Sequence, residues 1–197
     1  MKPEGPGTLL RRGLALEYAT LAWNVVGVAV LTWSALAARS VALAGFGLDS
    51  LIEIAASAVV VWELTGKHRR RQRRALRLIG TAFALLAAYL LAQGTVVLVV
   101  GHRAGHSPVG IVWTALTSVC MFSLAWGKAR TGEALANPVL RAEGRVTLVD
   151  GLLAASVLVG LVLNAAFGWW WADPAAGFVL VYYAGKECLS SLSQRAA

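Results

Sequence analysis

Six apolar segments, each long enough to cross a lipid bilayer, divide the sequence from end to end. They run approximately over 14–37, 41–64, 77–100, 109–128, 144–166 and 173–190. A helix needs about 20 apolar residues to cross roughly 30 Å of hydrocarbon. Because lipid cannot satisfy exposed backbone groups, segments of this kind fold as helices. We therefore predict an all-α membrane protein with six transmembrane helices, which form a single transmembrane domain over residues 1–197.

The composition agrees with a membrane protein. Hydrophobic residues make up 58% of the 197 residues, and charged residues only 14%. This chain is too apolar for a soluble domain of its size. Its two cysteines, Cys120 and Cys188, lie far apart and show neither a disulfide framework nor zinc-finger spacing. We interpret both as packing or interface residues.

The basic residues predict the orientation of the chain. Sixteen Lys and Arg residues fall in the two ends and in the second and fourth connections, where we count Lys128 as a residue of the fourth. The other connections hold only Arg39 and Arg103. By the positive-inside rule, we expect both termini in the cytoplasm. We further predict that the protein lies in the plasma (inner) membrane. The basic stretch from Lys67 to Arg74 then serves topology and anionic lipid, and we predict no nucleic-acid binding.

Acidic residues inside the apolar segments are the main functional signal. Asp49 and Glu53 lie four positions apart in the second segment, so a helix places them on one face. Asp150 lies in the fifth segment at an overlapping depth. A charge in the bilayer centre costs at least about 2.5–3.5 kcal/mol, and neighbouring carboxylates need a cation or a proton between them. The pattern predicts a cation or proton site, provided that the second span lies beside the fifth.

The residues around these carboxylates resemble motifs of the cation diffusion facilitator family of divalent-metal transporters. The second span of that family carries Asp-x-x-x-Asp, matched here by Asp49 and Glu53. Its fifth span carries His-x-x-x-Asp, matched by Asp150 but with Val146 in the histidine position. Residues 171–174, Trp-Ala-Asp-Pro, are similar as well. The resemblance covers six spans with both termini inside, and we expect no counterpart of the cytoplasmic metal-binding domain common in the family.

The resemblance implies a secondary transporter that moves a divalent metal cation out of the cytoplasm in exchange for protons. The cargo is zinc, or an ion of the manganese, iron or cobalt type. The resemblance implies Asp49, Glu53 and Asp150 as ligands, which we call the predicted metal ligands. Thr147 and Glu143 are further candidates, because they lie one or two helical turns from Asp150 on nearly the same face. It also implies a homodimer without a permanently bound cofactor. Three carboxylates without an imidazole favour a harder ion than zinc.

Other functions stay open from the sequence. The main alternative is a non-transporting membrane subunit or regulator that retains the fold. A small ion channel would show flux without proton coupling. We predict that the protein is not an enzyme, because its spans contain no serine–histidine, cysteine–histidine or His-Glu-x-x-His arrangement.

Overall fold

The computed structural model of the chain describes residues 5–38, 41–66, 69–101, 107–169, 181–182 and 186. All regular secondary structure in these residues is helical, and they contain no strand. The five long helices are α1 Pro6–Ala38, α2 Val41–Leu64, α3 Arg69–Val100, α4 Pro108–Ala134 and α5 Pro138–Phe167.

Each of these five helices is long and apolar enough to cross a membrane. Large apolar side chains cover the outside of the bundle, such as Trp33 and Val99, which are 72% and 80% exposed. Carboxylates, hydroxyls and the ammonium of Lys128 are buried inside it. This distribution suits lipid, where polar groups must be satisfied within the protein. Five of the six predicted spans are thus confirmed as helices of spanning length.

Two parts of the sequence prediction are left untested by these helices. The predicted sixth span, 173–190, lies outside the described residues except for 181–182 and 186. The resembling Trp-Ala-Asp-Pro stretch at 171–174 lies outside them as well. The cytoplasmic location of both termini stays a prediction.

Four helices extend beyond the predicted spans, so the predicted loops are wrong in length. α1 begins at Pro6 and α3 at Arg69, each eight residues before the predicted span. α4 continues to Ala134 and α5 begins at Pro138, which reduces the fourth connection to residues 135–137. Arg, Lys, Ala, Leu and Glu are all good helix formers. Hydropathy therefore marks the end of an apolar segment and not the end of its helix.

The connection at 135–137 is a tight turn closed by local hydrogen bonds. Ala136 adopts φ = +49°, in the left-handed region. The Asn137 side chain accepts hydrogen bonds from the backbone N–H groups of the two residues that follow Pro138, at 2.8 and 3.0 Å. Asn as N-cap and Pro at the first helical position are typical of a helix start. Asn137 also donates to Glu63 Oε2 at 3.0 Å, which ties the turn to the end of α2.

The packing brings the two helices with the predicted metal ligands side by side. α1 packs mainly on α2 and α4 mainly on α5, while α2 also contacts α5. Gly144 permits the close approach of α4 and α5, because a Cβ there would lie 3.2 Å from the Ala129 backbone nitrogen and 3.4 Å from the Ala125 backbone oxygen. The contact between α2 and α5 is the one that the predicted site requires.

Candidate functional site

Polar side chains from four helices meet inside the bundle, and we call this group the polar core. On α2 and α5 its members recur every three or four residues, so each helix presents them on one face. All of its side chains are buried. The polar core consists of Glu17 on α1, Asp49, Glu53 and Ser57 on α2, Lys128 on α4, and Glu143, Thr147 and Asp150 on α5.

One part of the polar core is a pair of aspartates on facing helices. The carboxyl groups of Asp49 and Asp150 lie close together. Their side chains are 2% and 1% exposed. Asp49 Oδ2 and both carboxyl oxygens of Asp150 receive no hydrogen bond from the residues that the structure describes. Two carboxylates this close cannot both stay charged unless a cation lies with them, so the pair calls for a proton or a metal ion.

Glu53 lies next to this pair and contacts α5 through Thr147. The Thr147 hydroxyl donates a hydrogen bond of 2.6 Å to Glu53 Oε1, while Glu53 Oε2 has no donor among the described residues. The neighbouring Val146, in the position of the family's histidine, belongs to the hydrophobic core and is 2% exposed. In this turn of α5, Thr147 and not Val146 therefore contacts Glu53. Its binding of a metal stays a prediction.

The other part of the polar core is an ion-pair cluster around Lys128. Its Nζ lies 2.6 Å from Glu143 Oε1 and 3.1 Å from Glu17 Oε2, and all three side chains are fully buried. Lys128 Nζ also donates to Thr147 Oγ1 at 2.9 Å. Ser57 donates a further hydrogen bond of 2.9 Å to Glu143 Oε1. The ammonium thus donates two hydrogen bonds to α5, while its contact with Glu17 on α1 is an ion pair, since neither carboxyl oxygen of Glu17 receives a hydrogen bond from the described residues.

The burial of Lys128 corrects the sequence interpretation. By sequence, Lys128 is expected in the fourth connection. Instead, it lies on α4 and is 0% exposed inside the bundle, as are Glu17 and Glu143. Because α4 continues past Lys128, the helical period carries the lysine onto the buried face of α4. That period was the available signal, since the buried positions before it on α4 include Met121, Leu124 and Ala125.

The described residues do not join the predicted metal ligands in one centre. Among them, no three His, Cys, Asp or Glu side chains are grouped closely enough to hold a metal ion. Asp49 faces Asp150, whereas Glu53 faces Thr147. Glu143, a further candidate, is held by Lys128 and Ser57. Their role as metal ligands stays a prediction.

Comparisons with known proteins do not assign the chain to a family. A scan against protein-family models gives no match, and a search of the curated proteins gives no significant match. The similarity to the cation diffusion facilitator motifs therefore rests on the residues themselves.

Proposed function

We propose that this protein is a secondary transporter of a divalent metal cation, which it exports in exchange for protons. One observation supports this function most directly. Asp49, Glu53 and Asp150 are at most 2% exposed, and each has a carboxyl oxygen without a donor among the described residues. Buried carboxylates without a compensating charge are strongly disfavoured. A bound cation would supply that charge.

The location of these carboxylates favours transport over a purely structural role. They lie on helices of membrane-spanning length, and acidic residues inside spans commonly line ion pathways. A carboxylate must lose its proton to bind a metal, so metal and protons compete for the same oxygens. Exposure of the group to each side of the membrane in turn would couple metal export to proton entry.

The donor atoms indicate the class of metal. Carboxylate oxygens and the hydroxyl of Thr147 are hard ligands, and Val146 offers none. Such a set favours Mn²⁺ or Fe²⁺ over softer ions. Zn²⁺ and Co²⁺ belong in the same test, because zinc sites also use carboxylates with a water as a fourth ligand.

A non-transporting membrane subunit is the second candidate. Lys128 already compensates part of the buried negative charge. The described residues also contain no group of three metal-binding side chains. In that case protons alone would neutralise the remaining acids, and the polar core would hold the helices together.

Metal flux in proteoliposomes separates these functions. We expect uptake of at least one of Mn²⁺, Fe²⁺, Co²⁺ or Zn²⁺, driven by a pH gradient and reported by a trapped metal-sensitive dye. Asp49→Asn should abolish uptake. Glu133→Gln, which neutralises an exposed carboxylate near the end of α4, should leave it unchanged. No flux from folded protein would favour the non-transporting subunit, and flux insensitive to pH would favour a channel.

A further inference from the structure

The polar core contains a cation that belongs to the chain itself. The Lys128 ammonium contacts one oxygen each of Glu17, Glu143 and Thr147, at 3.1, 2.6 and 2.9 Å. These partners are two carboxylates and a hydroxyl, all fully buried. Hard metal cations prefer oxygen donors of the same kind. The ammonium thus occupies a place that suits a small cation.

The charges around Lys128 show why this place needs a cation. Glu17 and Glu143 bring two carboxylates from α1 and α5, and Lys128 brings one positive charge from α4. Glu143 Oε2 and both carboxyl oxygens of Glu17 receive no hydrogen bond from the described residues. Without the lysine, two carboxylates would share a low-dielectric interior with no positive charge between them, which is strongly unfavourable.

A directed hydrogen-bond chain joins this cluster to one of the predicted metal ligands. Thr147 has a single hydroxyl proton, which it donates to Glu53 Oε1 at 2.6 Å. It therefore accepts, and does not donate, in its contact of 2.9 Å with Lys128 Nζ. Lys128 is one hydroxyl away from Glu53, so the two parts of the polar core are direct neighbours.

We propose that Lys128 is a tethered cation. Its ammonium fills an oxygen-donor site formed by Glu17, Glu143 and Thr147, and it keeps free metal ions out of that site. Replacement of the lysine by a small residue opens the site to one hard divalent cation such as Mn²⁺. The proposal deepens the proposed function, because exclusion from this site directs a mobile cation to the predicted metal ligands. The site itself does not depend on transport.

Equilibrium binding of Mn²⁺ to purified protein in detergent tests the proposal, with free Mn²⁺ measured by electron paramagnetic resonance. We expect Lys128→Ala to bind one Mn²⁺ per chain more than the wild type. Lys128→Met fills the space of the lysine without a charge and without leaving a cavity, so it should bind no additional Mn²⁺. The triple variant Lys128→Ala, Glu17→Gln, Glu143→Gln should gain none either, because its donors are neutral.

The difference between variant and wild type keeps this test separate from that of the proposed function. A wild type that binds no Mn²⁺, Fe²⁺, Co²⁺ or Zn²⁺ would count against transport, while one additional Mn²⁺ in Lys128→Ala would still support the tethered cation. Equal Mn²⁺ binding by the folded wild type and folded Lys128→Ala would overturn the proposal of a tethered cation.

Thermal unfolding provides the second measurement. Mn²⁺ should raise the unfolding temperature of Lys128→Ala above its value in EDTA, and by more than in the triple variant. If Lys128→Ala aggregates even when Mn²⁺ is present throughout purification, the proposal is also overturned, because the opened site should accept the free ion.

Discussion

Around Lys128, two buried carboxylates share an ammonium at 2.6 and 3.1 Å. Between Asp49 and Asp150, two buried carboxyl groups lie close together. In both groups, three of the four carboxyl oxygens receive no hydrogen bond from the described residues. The surroundings of the two groups are alike, since both are buried between helices of the same bundle. The difference is that the first group has a positive charge from its own chain. The second has no ion-pair partner among the described residues, so it calls for a proton or another cation.

This contrast leads to a prediction of which buried acids serve stability and which serve the proposed binding of a cation. An acid paired inside a protein destabilises the fold when its partner is removed. Neutralising a buried acid that has no partner removes an unfavourable charge from the fold. If that acid binds a cation, the binding is lost with the charge. Substitutions in the two parts of the polar core should therefore change stability in opposite directions.

The largest expected effect is on transport, at Glu53. Glu53→Ala should lower metal flux by more than about 100-fold, since loss of even an outer-shell partner of a metal site costs 10–100-fold. Glu53→Asp should retain partial flux, because it keeps the carboxylate and shortens its reach by one methylene. Initial rates in proteoliposomes measure both, with Glu133→Gln as the exposed control. Full activity of Glu53→Ala would remove Glu53 from the ligands.

The next effect is on stability, at the ion-pair cluster. Lys128→Met should lower the free energy of unfolding by about 3–5 kcal/mol in metal-free detergent, because it leaves two buried carboxylates without a cation. Denaturant unfolding monitored by tryptophan fluorescence measures the change. Adding Glu17→Gln and Glu143→Gln to Lys128→Met should recover most of the loss. An equal loss in the single and triple variants would mean that the lysine contributes by its packing alone.

Asp49 should respond in the opposite sense. In metal-free detergent, Asp49→Asn should leave the free energy of unfolding unchanged or raise it by up to about 3 kcal/mol, because a buried acceptor without a donor is unfavourable. The same unfolding assay applies, and Glu133→Gln should stay within about 0.5 kcal/mol of the wild type. A clear destabilisation by Asp49→Asn would place Asp49 with the structural acids and break the contrast.

The smallest expected effect is on metal preference, at Val146. Val146→His should raise the ratio of zinc to manganese flux a few-fold, because an imidazole adds a nitrogen ligand that zinc prefers. Since Val146 packs in the hydrophobic core, α5 must adjust to admit the ring. The measurement is the ratio of initial rates at fixed pH, with Thr147→His for comparison. An unchanged ratio in active Val146→His would make Thr147 or Glu143 the better fourth ligand.

The sequence by itself determined the features that depend on local properties. Length and hydropathy identified the five described spans, because a helix in lipid must satisfy its own backbone. The spacing of Asp49 and Glu53 identified one acidic face, because the helical period places positions four apart together. The helix ends were harder to predict from the sequence, since charged residues such as Arg69 continue a helix as readily as apolar ones. The Asn137–Pro138 start of α5 was nevertheless present as a local capping signal.

Only the tertiary structure decided the partners of the acids. The helical period predicts that Lys128 shares the face of Met121, Leu124 and Ala125 on α4, but it does not predict which side chains meet the lysine there. Lys128 is buried because α1, α4 and α5 meet around it and offer Glu17 and Glu143. The bond from Thr147 to Glu53 joins residues 94 positions apart. Such contacts depend on how whole helices pack, and no local pattern contains that information.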